Sequence, residues 1–307
     1  MNNQNKLKYV KSREINDEKW DRCIKEASNS RIFAAIWYLD RTAEVWDALI
    51  WGDYEYVMPL PVRKKIGIHY LYQPLFTQQL GIFPSPPESI QTRFYQALTQ
   101  KFLYANILMN ARNQGTPPIP ESSFSPRPNY LLPLNDPHSA ISGGYSQNTR
   151  RNLKQAQKNE LTFVWGISLE DYLRFKYQNR QVRLGKKDLS KLKSIIAYSQ
   201  YKGFGTIAGV YNADNKLCAG AFFCRWKDRI IHMNAAASPP GKTLRSMFFL
   251  IDKVIDAHAG NPVILDFEGS VIPGVARFYS GFGAIPETYF QFIHNRLPQP
   301  LKWIKRK

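Results

Sequence analysis

Cysteine is scarce: the 307 residues hold only Cys23, Cys218 and Cys224, spaced neither as Cys-x-x-Cys nor in a zinc-like register with histidine. That argues against structural disulfides and against a metal centre. Cys218 and Cys224 share one face of a strand-like run and are expected to pack as small apolar groups rather than to serve as catalytic thiols. No run of about 18 apolar residues occurs, and Met1 to Lys11 is polar without an apolar signal core. The expectation is therefore no transmembrane span, no secretory leader and a cytoplasmic location. Acidic residues are also few, 24 against 42 Lys and Arg, and the resulting +18 favours polyanionic partners such as RNA, nucleotides or anionic surfaces.

What is present is a chain able to fold. With 44% hydrophobic residues it can bury a core, and its length suits two domains. The charge is concentrated between Tyr145 and Gly203, where 13 basic residues, among them Lys176, Arg180 and Arg183, face four acids, so that 13 − 4 = 9 accounts for half of the +18.

Punctuation sets the organisation. Gln114 to Asn135 carries Pro117, Pro118, Pro120, Pro126, Pro128 and Pro133, and reads as an irregular crossing closed by a short strand, Tyr130 to Leu134. A loop to Gly144 follows, which places the domains at 1–139 and 140–307. The first half reads as a mixed α/β unit: a helix near Asp17 to Ser28, strands Val45 to Trp51 and Tyr54 to Leu60 joined by Gly52-Asp53, a β-prone run from Tyr70 to Phe76, a helix Gln91 to Leu103 and a strand at Ile107 to Met109. Its many aromatics, such as Trp37, Tyr38, Trp46, Trp51 and Tyr72, suit a core and also suit a groove for a sugar or peptide. Gln73, Thr77, Gln78 and Gln79 offer hydrogen bonds to substrate amides or hydroxyls.

In the second half Ser146 caps a helix from Asn148 to Asn159, on which Arg150, Lys154 and Lys158 recur every four residues with Arg151 at the edge. This basic stripe is either a solvated face or a phosphate-contacting one. A strand, Leu161 to Trp165, precedes helices Leu169 to Gln181 and Leu189 to Tyr201. Three β-prone runs, Thr206 to Tyr211, Lys216 to Trp226 and Arg229 to Ala236, then form a meander. A loop, Ser238 to Lys242, leads to a helix Leu244 to Ala259. The strand Val263 to Phe267 ends in Asp266-Phe267-Glu268-Gly269-Ser270, and a short helix opens near Pro273 before a closing strand Tyr289 to His294. A strand tip that delivers polar side chains beside a helix start is a common ligand position.

This order, with Phe278-Tyr279-Ser280-Gly281-Phe282-Gly283, resembles the GNAT acyltransferase superfamily. Together with Thr149-Arg150-Arg151-Asn152-Leu153-Lys154 and the acidic tip it resembles the FemAB/FemX-like double-GNAT group, whose members transfer amino acids from aminoacyl-tRNA and include related acetyltransferases. The resemblance implies an α/β (α+β) chain of two GNAT-like domains, each a mixed, mostly antiparallel central sheet flanked by helices, the first divergent. It also implies an acyltransferase moving an acyl or aminoacyl group onto an amine, with no tightly bound cofactor, an aminoacyl-tRNA or acyl-CoA donor, and an amine-bearing acceptor: a peptidoglycan (cell-wall) precursor, a sugar or a small amine.

Residue roles follow from that resemblance and from chemistry. Glu268, or Asp266 if it faces the cleft, is the candidate base or amine-binding group; the two alternate across Phe267, and Glu268 is preferred. Tyr279 is the implied leaving-group acid. His232 lies on the strand where GNAT enzymes aim a backbone amide at the donor carbonyl, and is alternatively a hydrogen-bonded core histidine. Asn234, Gly241, Lys242 and Arg245 rim the donor site.

The departure from the GNAT pattern is Ala237-Ser238-Pro239-Pro240-Gly241-Lys242-Thr243, where a glycine-rich loop normally turns its amides toward the CoA pyrophosphate. Pro239 and Pro240 carry no N–H, which favours tRNA over CoA and also disqualifies Gly241-Lys242-Thr243 as a nucleotide-hydrolysing P-loop. Two function classes remain. One is a transferase that presents its donor on the second half to an acceptor held against the aromatic first half. The other is a catalytically silent RNA- or polyanion-binding module.

Overall fold

The computed structural model describes residues 6–113, 118–179, 185–269 and 271–299. Gln181, Arg180, Arg183, Pro117 and Ser270, all used above, lie outside the described residues. Two compact units emerge, Met1–Arg127 with Thr288–Lys307, and Pro128–Glu287. The division expected at 139/140 thus falls at 127/128, and the chain end returns to the first unit. Both crossings run through strands, which carry no turn signal to mark them.

In the first unit β1 (Leu7–Lys11) precedes α1 (Asp17–Glu26) and α2 (Ile36–Thr42), followed by β2 (Val45–Trp51), β3 (Tyr56–Lys65), β4 (Ile68–Leu71), α3 (Glu88–Lys101) and β5 (Tyr104–Leu108). β1 to β4 pair antiparallel in sequence, and β5 joins β4 in parallel. Asn16 caps α1, its side chain accepting from Lys19 N. Of the aromatics, Tyr38, Trp46, Trp51 and Tyr72 are buried in the core. The glutamines are committed to the backbone: Gln73 donates to the Thr77 and Gln78 carbonyls and accepts from Leu108 N, and Gln79 accepts from Ala111 N. These amides hold the loop after β4 onto β5.

β6 (Ser122–Pro133) is far longer than the short strand expected from its prolines. Pro126 and Pro128 are two residues apart, so their missing donors lie on one side of the strand and the other side keeps its N–H groups.

The second unit continues with α4 (His138–Gly143), α5 (Gln147–Ala156), β7 (Thr162–Trp165), α6 (Leu169–Gln178), α7 (Lys186–Tyr201), β8 (Gly205–Tyr211), β9 (Leu217–Trp226), β10 (Arg229–Ala237), α8 (Pro239–Thr243), α9 (Ser246–His258), β11 (Ile264–Asp266) and α10 (Pro273–Ser280). β7 to β10 form the antiparallel meander, β11 pairs parallel with β10, and β6 pairs antiparallel with β11. The segment expected as a loop at 238–242 is the short helix α8, because Ser238 caps it by accepting from Gly241 N. β12 (Ile285–Asn295) leaves this unit and pairs antiparallel with β5 in the first.

The sheet of the second unit is covered on both faces. One face, bearing Ala219, Ala221, Phe223 and Ile230, packs on Leu250, Ile251, Val254 and Ile255 of α9. The other bears Gly220 and Cys224, against which lie the Tyr172 ring of α6 and Ser199 of α7. Among the described residues, no helix is long and apolar enough to cross a membrane.

Candidate functional site

The β10–β11 ladder registers only from Arg229↔Ile264 to Ile231↔Asp266, after which β11 ends while β10 runs on to Ala237. β10 is also irregular there, with a register shift against β9 between His232 and Asn234. The two strands therefore part at His232 on one side and Phe267 on the other. Beyond Asp266 the chain turns sharply: Glu268 and Gly269 both have left-handed backbones, φ 60 and 64. A Cβ on Gly269 would lie 2.1 Å from the Pro128 carbonyl oxygen, so only glycine closes the tip against β6. For Glu268 the same region costs about 1–3 kcal/mol.

Asp266 and Glu268 have different fates. Asp266 is 2% exposed, ion-paired to Arg229 at 2.7 Å, and its other oxygen accepts from the Glu268 N–H at 3.0 Å. It braces the tip. Glu268 is the half-buried carboxyl at the parting, and burial, reinforced by the Asp266 charge, pushes its pKa well above the usual carboxylate value. Its charge reaches both faces, disfavouring ionisation of Cys224 on the α6 and α7 side and of Tyr279 on the α10 side.

The structure brings Glu268, Tyr279 and His232 together. The Tyr279 ring stacks on Phe267 at 4.6 Å between centroids and stands edge-on to His232 at 6.0 Å. Burial, then Glu268, raises the Tyr279 phenol. His232 is 7% exposed, and burial aided by the Lys176 charge pushes its pKa down to about 4. It is a buried histidine, as the blander reading held, yet neither ring nitrogen has a hydrogen-bond partner among the described residues. A neutral imidazole with both nitrogens unengaged is a costly feature in a core and a useful one in a site.

The expected donor rim fares differently. Asn234 accepts from the Tyr172 hydroxyl at 2.8 Å. Gly241 is buried, its N–H taken by Ser238 Oγ, and a Cβ there would meet the Cys218 carbonyl oxygen at 2.0 Å. Lys242 N donates to Ser238 O, Leu244 N to Pro240 O and Arg245 N to Lys242 O. Arg245 itself is tied to Gln155 on α5 at 3.1 Å. Gly241 serves the packing of α8 on β9, and only the Lys242 side chain is left exposed at this rim.

On α5, Arg150, Arg151 and Lys154 line one open depression of about 450 Å³ with Gln147 and Asn148. Lys158 is exposed just beyond the end of that helix. The helix is fixed from beneath by buried Thr149, Asn152, Leu153 and Ala156, which leaves its basic side to solvent.

Lys176 was missed. It lies one turn after Tyr172 on α6, and its ammonium donates to the Ala235 carbonyl at 2.7 Å, beside the irregular part of β10. A lysine on the inward side of an amphipathic helix, next to buried Phe175, was the available signal. Cys224 is buried against Ser199 on α7, and burial pushes its thiol up to about 12, which disfavours the thiolate.

No protein-family model and no curated protein matches the sequence. Solved structures do match. FemX superposes over 98% of this chain and 100% of its own with a TM-score of 0.63 at 13% identity. A domain named as the C-terminal part of a lysylphosphatidylglycerol synthetase from Agrobacterium fabrum covers 94% of this chain and 93% of its own, with a TM-score of 0.56 at 11% identity. A GCN5-related glucosamine N-acetyltransferase region of a fungal multi-domain enzyme reaches a TM-score of 0.50 at 10% identity, over 94% of this chain and 38% of that one. The expected mixed, mostly antiparallel sheet flanked by helices is thus found in proteins of this architecture, and the chain has a FemAB-like GNAT fold.

Proposed function

We propose that the protein is an acyltransferase that moves an aminoacyl group from charged tRNA onto an amine. The observation that carries the reading is the convergence of Glu268, His232 and Tyr279 where β10 and β11 part. Aminolysis of an ester requires the amine to lose a proton and the carbonyl to be polarised in a place that excludes water. Glu268 takes the proton, since a carboxylate made harder to ionise is, once ionised, a stronger base. His232 offers an unengaged ring N–H to the carbonyl oxygen.

The α8 segment supports the choice of donor. Two prolines without N–H, and amides of Gly241, Lys242, Leu244 and Arg245 already bonded within the segment, leave little for a CoA pyrophosphate. The Arg150, Arg151 and Lys154 depression, and the +18 charge, suit a nucleic-acid backbone instead. The acceptor is an amine of the peptidoglycan-precursor, amino-sugar or small-amine kind.

A second reading, a silent polyanion binder, is favoured by that same basic depression. The test is titration with acetyl-CoA and with aminoacyl-tRNA at two salt concentrations, followed by release of the labelled amino acid in the presence of amines. Salt-steep RNA binding with transfer is expected. Salt-insensitive, saturable acetyl-CoA binding contradicts the donor, and RNA binding without any transfer selects the silent module.

A further inference from the structure

We propose that Lys176 donates the proton taken up by the leaving group, a role that resemblance assigns to Tyr279. The proposal rests on the transferase reading above. Tyr279 is poorly suited: its ring is stacked on Phe267, and burial and the nearby Glu268 both make its hydroxyl hold its proton more tightly. Lys176 is placed and poised in the opposite sense. Its ammonium is held 2.7 Å from the Ala235 carbonyl, three residues beyond His232, on the stretch of β10 that β11 no longer covers. It is near enough that its charge weakens proton binding by His232, the 7%-exposed side chain whose two nitrogens are unengaged among the described residues. An ammonium has three N–H donors, and one is used on Ala235. Burial lowers its pKa to about 8, so that it is charged at neutral pH yet gives up a proton far more readily than an exposed lysine.

The step balances as follows. The neutral amine attacks the donor carbonyl carbon, forming C–N as the carbonyl π pair moves to oxygen. The amine N–H proton passes to the Glu268 carboxylate. Collapse of the adduct re-forms C=O and breaks the bond to the ribose oxygen, which takes its proton from Lys176 Nζ. Water returns a proton to Lys176 and removes one from Glu268, leaving an amide and a free hydroxyl.

The titratable side chains on this side of the sheet are Tyr172 on α6 itself, Cys218 and Cys224 on β9 and His232 on β10, together with Glu268 at the strand tip, whose charge reaches Cys224. With Lys176 as acid, the rate of wild-type transfer from aminoacyl-tRNA to a small amine falls above about pH 8. Lys176→Met is expected to lower kcat by about 10²-fold or more with the KM for tRNA unchanged, and Lys176→Arg, which keeps the charge but not the acidity, to lose the alkaline fall. Trace acetylation with acetic anhydride across pH, mapped by mass spectrometry, reads the group independently of turnover and should find Lys176 titrating near 8, below the ordinary lysine value. Titration of Lys176 at the ordinary lysine value overturns the proposal. So does full kcat with the alkaline fall intact in Lys176→Met, which leaves the transferase reading standing. No transfer by the wild type, with Lys176 titrating near 8, removes both the transferase reading and the acid role.

Discussion

Two carboxylates two residues apart, Asp266 and Glu268, do opposite work. Asp266 holds Arg229 and the Glu268 amide, and is almost without solvent. Arg229→Met would leave that carboxylate buried and unpaired, and is expected to cost about 3–5 kcal/mol in urea unfolding. A loss under about 1 kcal/mol would mean the pair is not structural. Glu268 and His232 instead weaken the fold. For Glu268 the folded pKa lies above the unfolded one, so the unfolded chain loses its proton first and stability falls as pH rises past about 4.5. For His232 the folded value of about 4 lies below 6.5, so the unfolded chain gains its proton first and stability falls as pH drops through that window. Glu268→Gln should accordingly be more stable than the parent at pH 8 and equal to it near pH 4, and His232→Phe should flatten the acid side; denaturation curves across pH check both. Strand alternation could not separate the two acids, since residues two apart share a face; the chain turn at left-handed Glu268 does, and Lys176 was hidden because its partner is a carbonyl 59 positions away.

Among the elements, those with a strong period were legible and those shaped by partners were not. The β8 to β10 meander and the helices α6, α7 and α9 lie within a few residues of their expected limits because apolar periodicity and Gly or Asn turns mark them. β6 was hidden by its prolines, and α8 by two prolines that proved to be its first residues behind a serine cap. On α5 Arg150 and Lys154 share one face, exposed by the burial of Leu153 and Ala156, while Lys158 falls beyond the helix end at Ala156. Arg150→Ala with Lys154→Ala is expected to leave unfolding within about 0.5 kcal/mol of the parent and to weaken RNA binding, with the salt slope reduced by about two. An unchanged slope, measured by filter binding at several salt concentrations, would assign this face to solvent.

At the scale of the whole molecule, the +18 charge speaks of partners and not of fold, and the GNAT-type architecture speaks of fold and not of substrate. The division into units escaped the sequence because both crossings fall inside strands. The proposed function joins these levels, in that a basic protein of this fold would bring a charged RNA to a carboxyl held at the parting of two strands. Single-turnover transfer from aminoacyl-tRNA, comparing wild type with Glu268→Gln at equal RNA occupancy, tests it most directly. The account predicts unchanged RNA affinity with transfer reduced by about 10²-fold or more in the variant; equal transfer by the two proteins would contradict it.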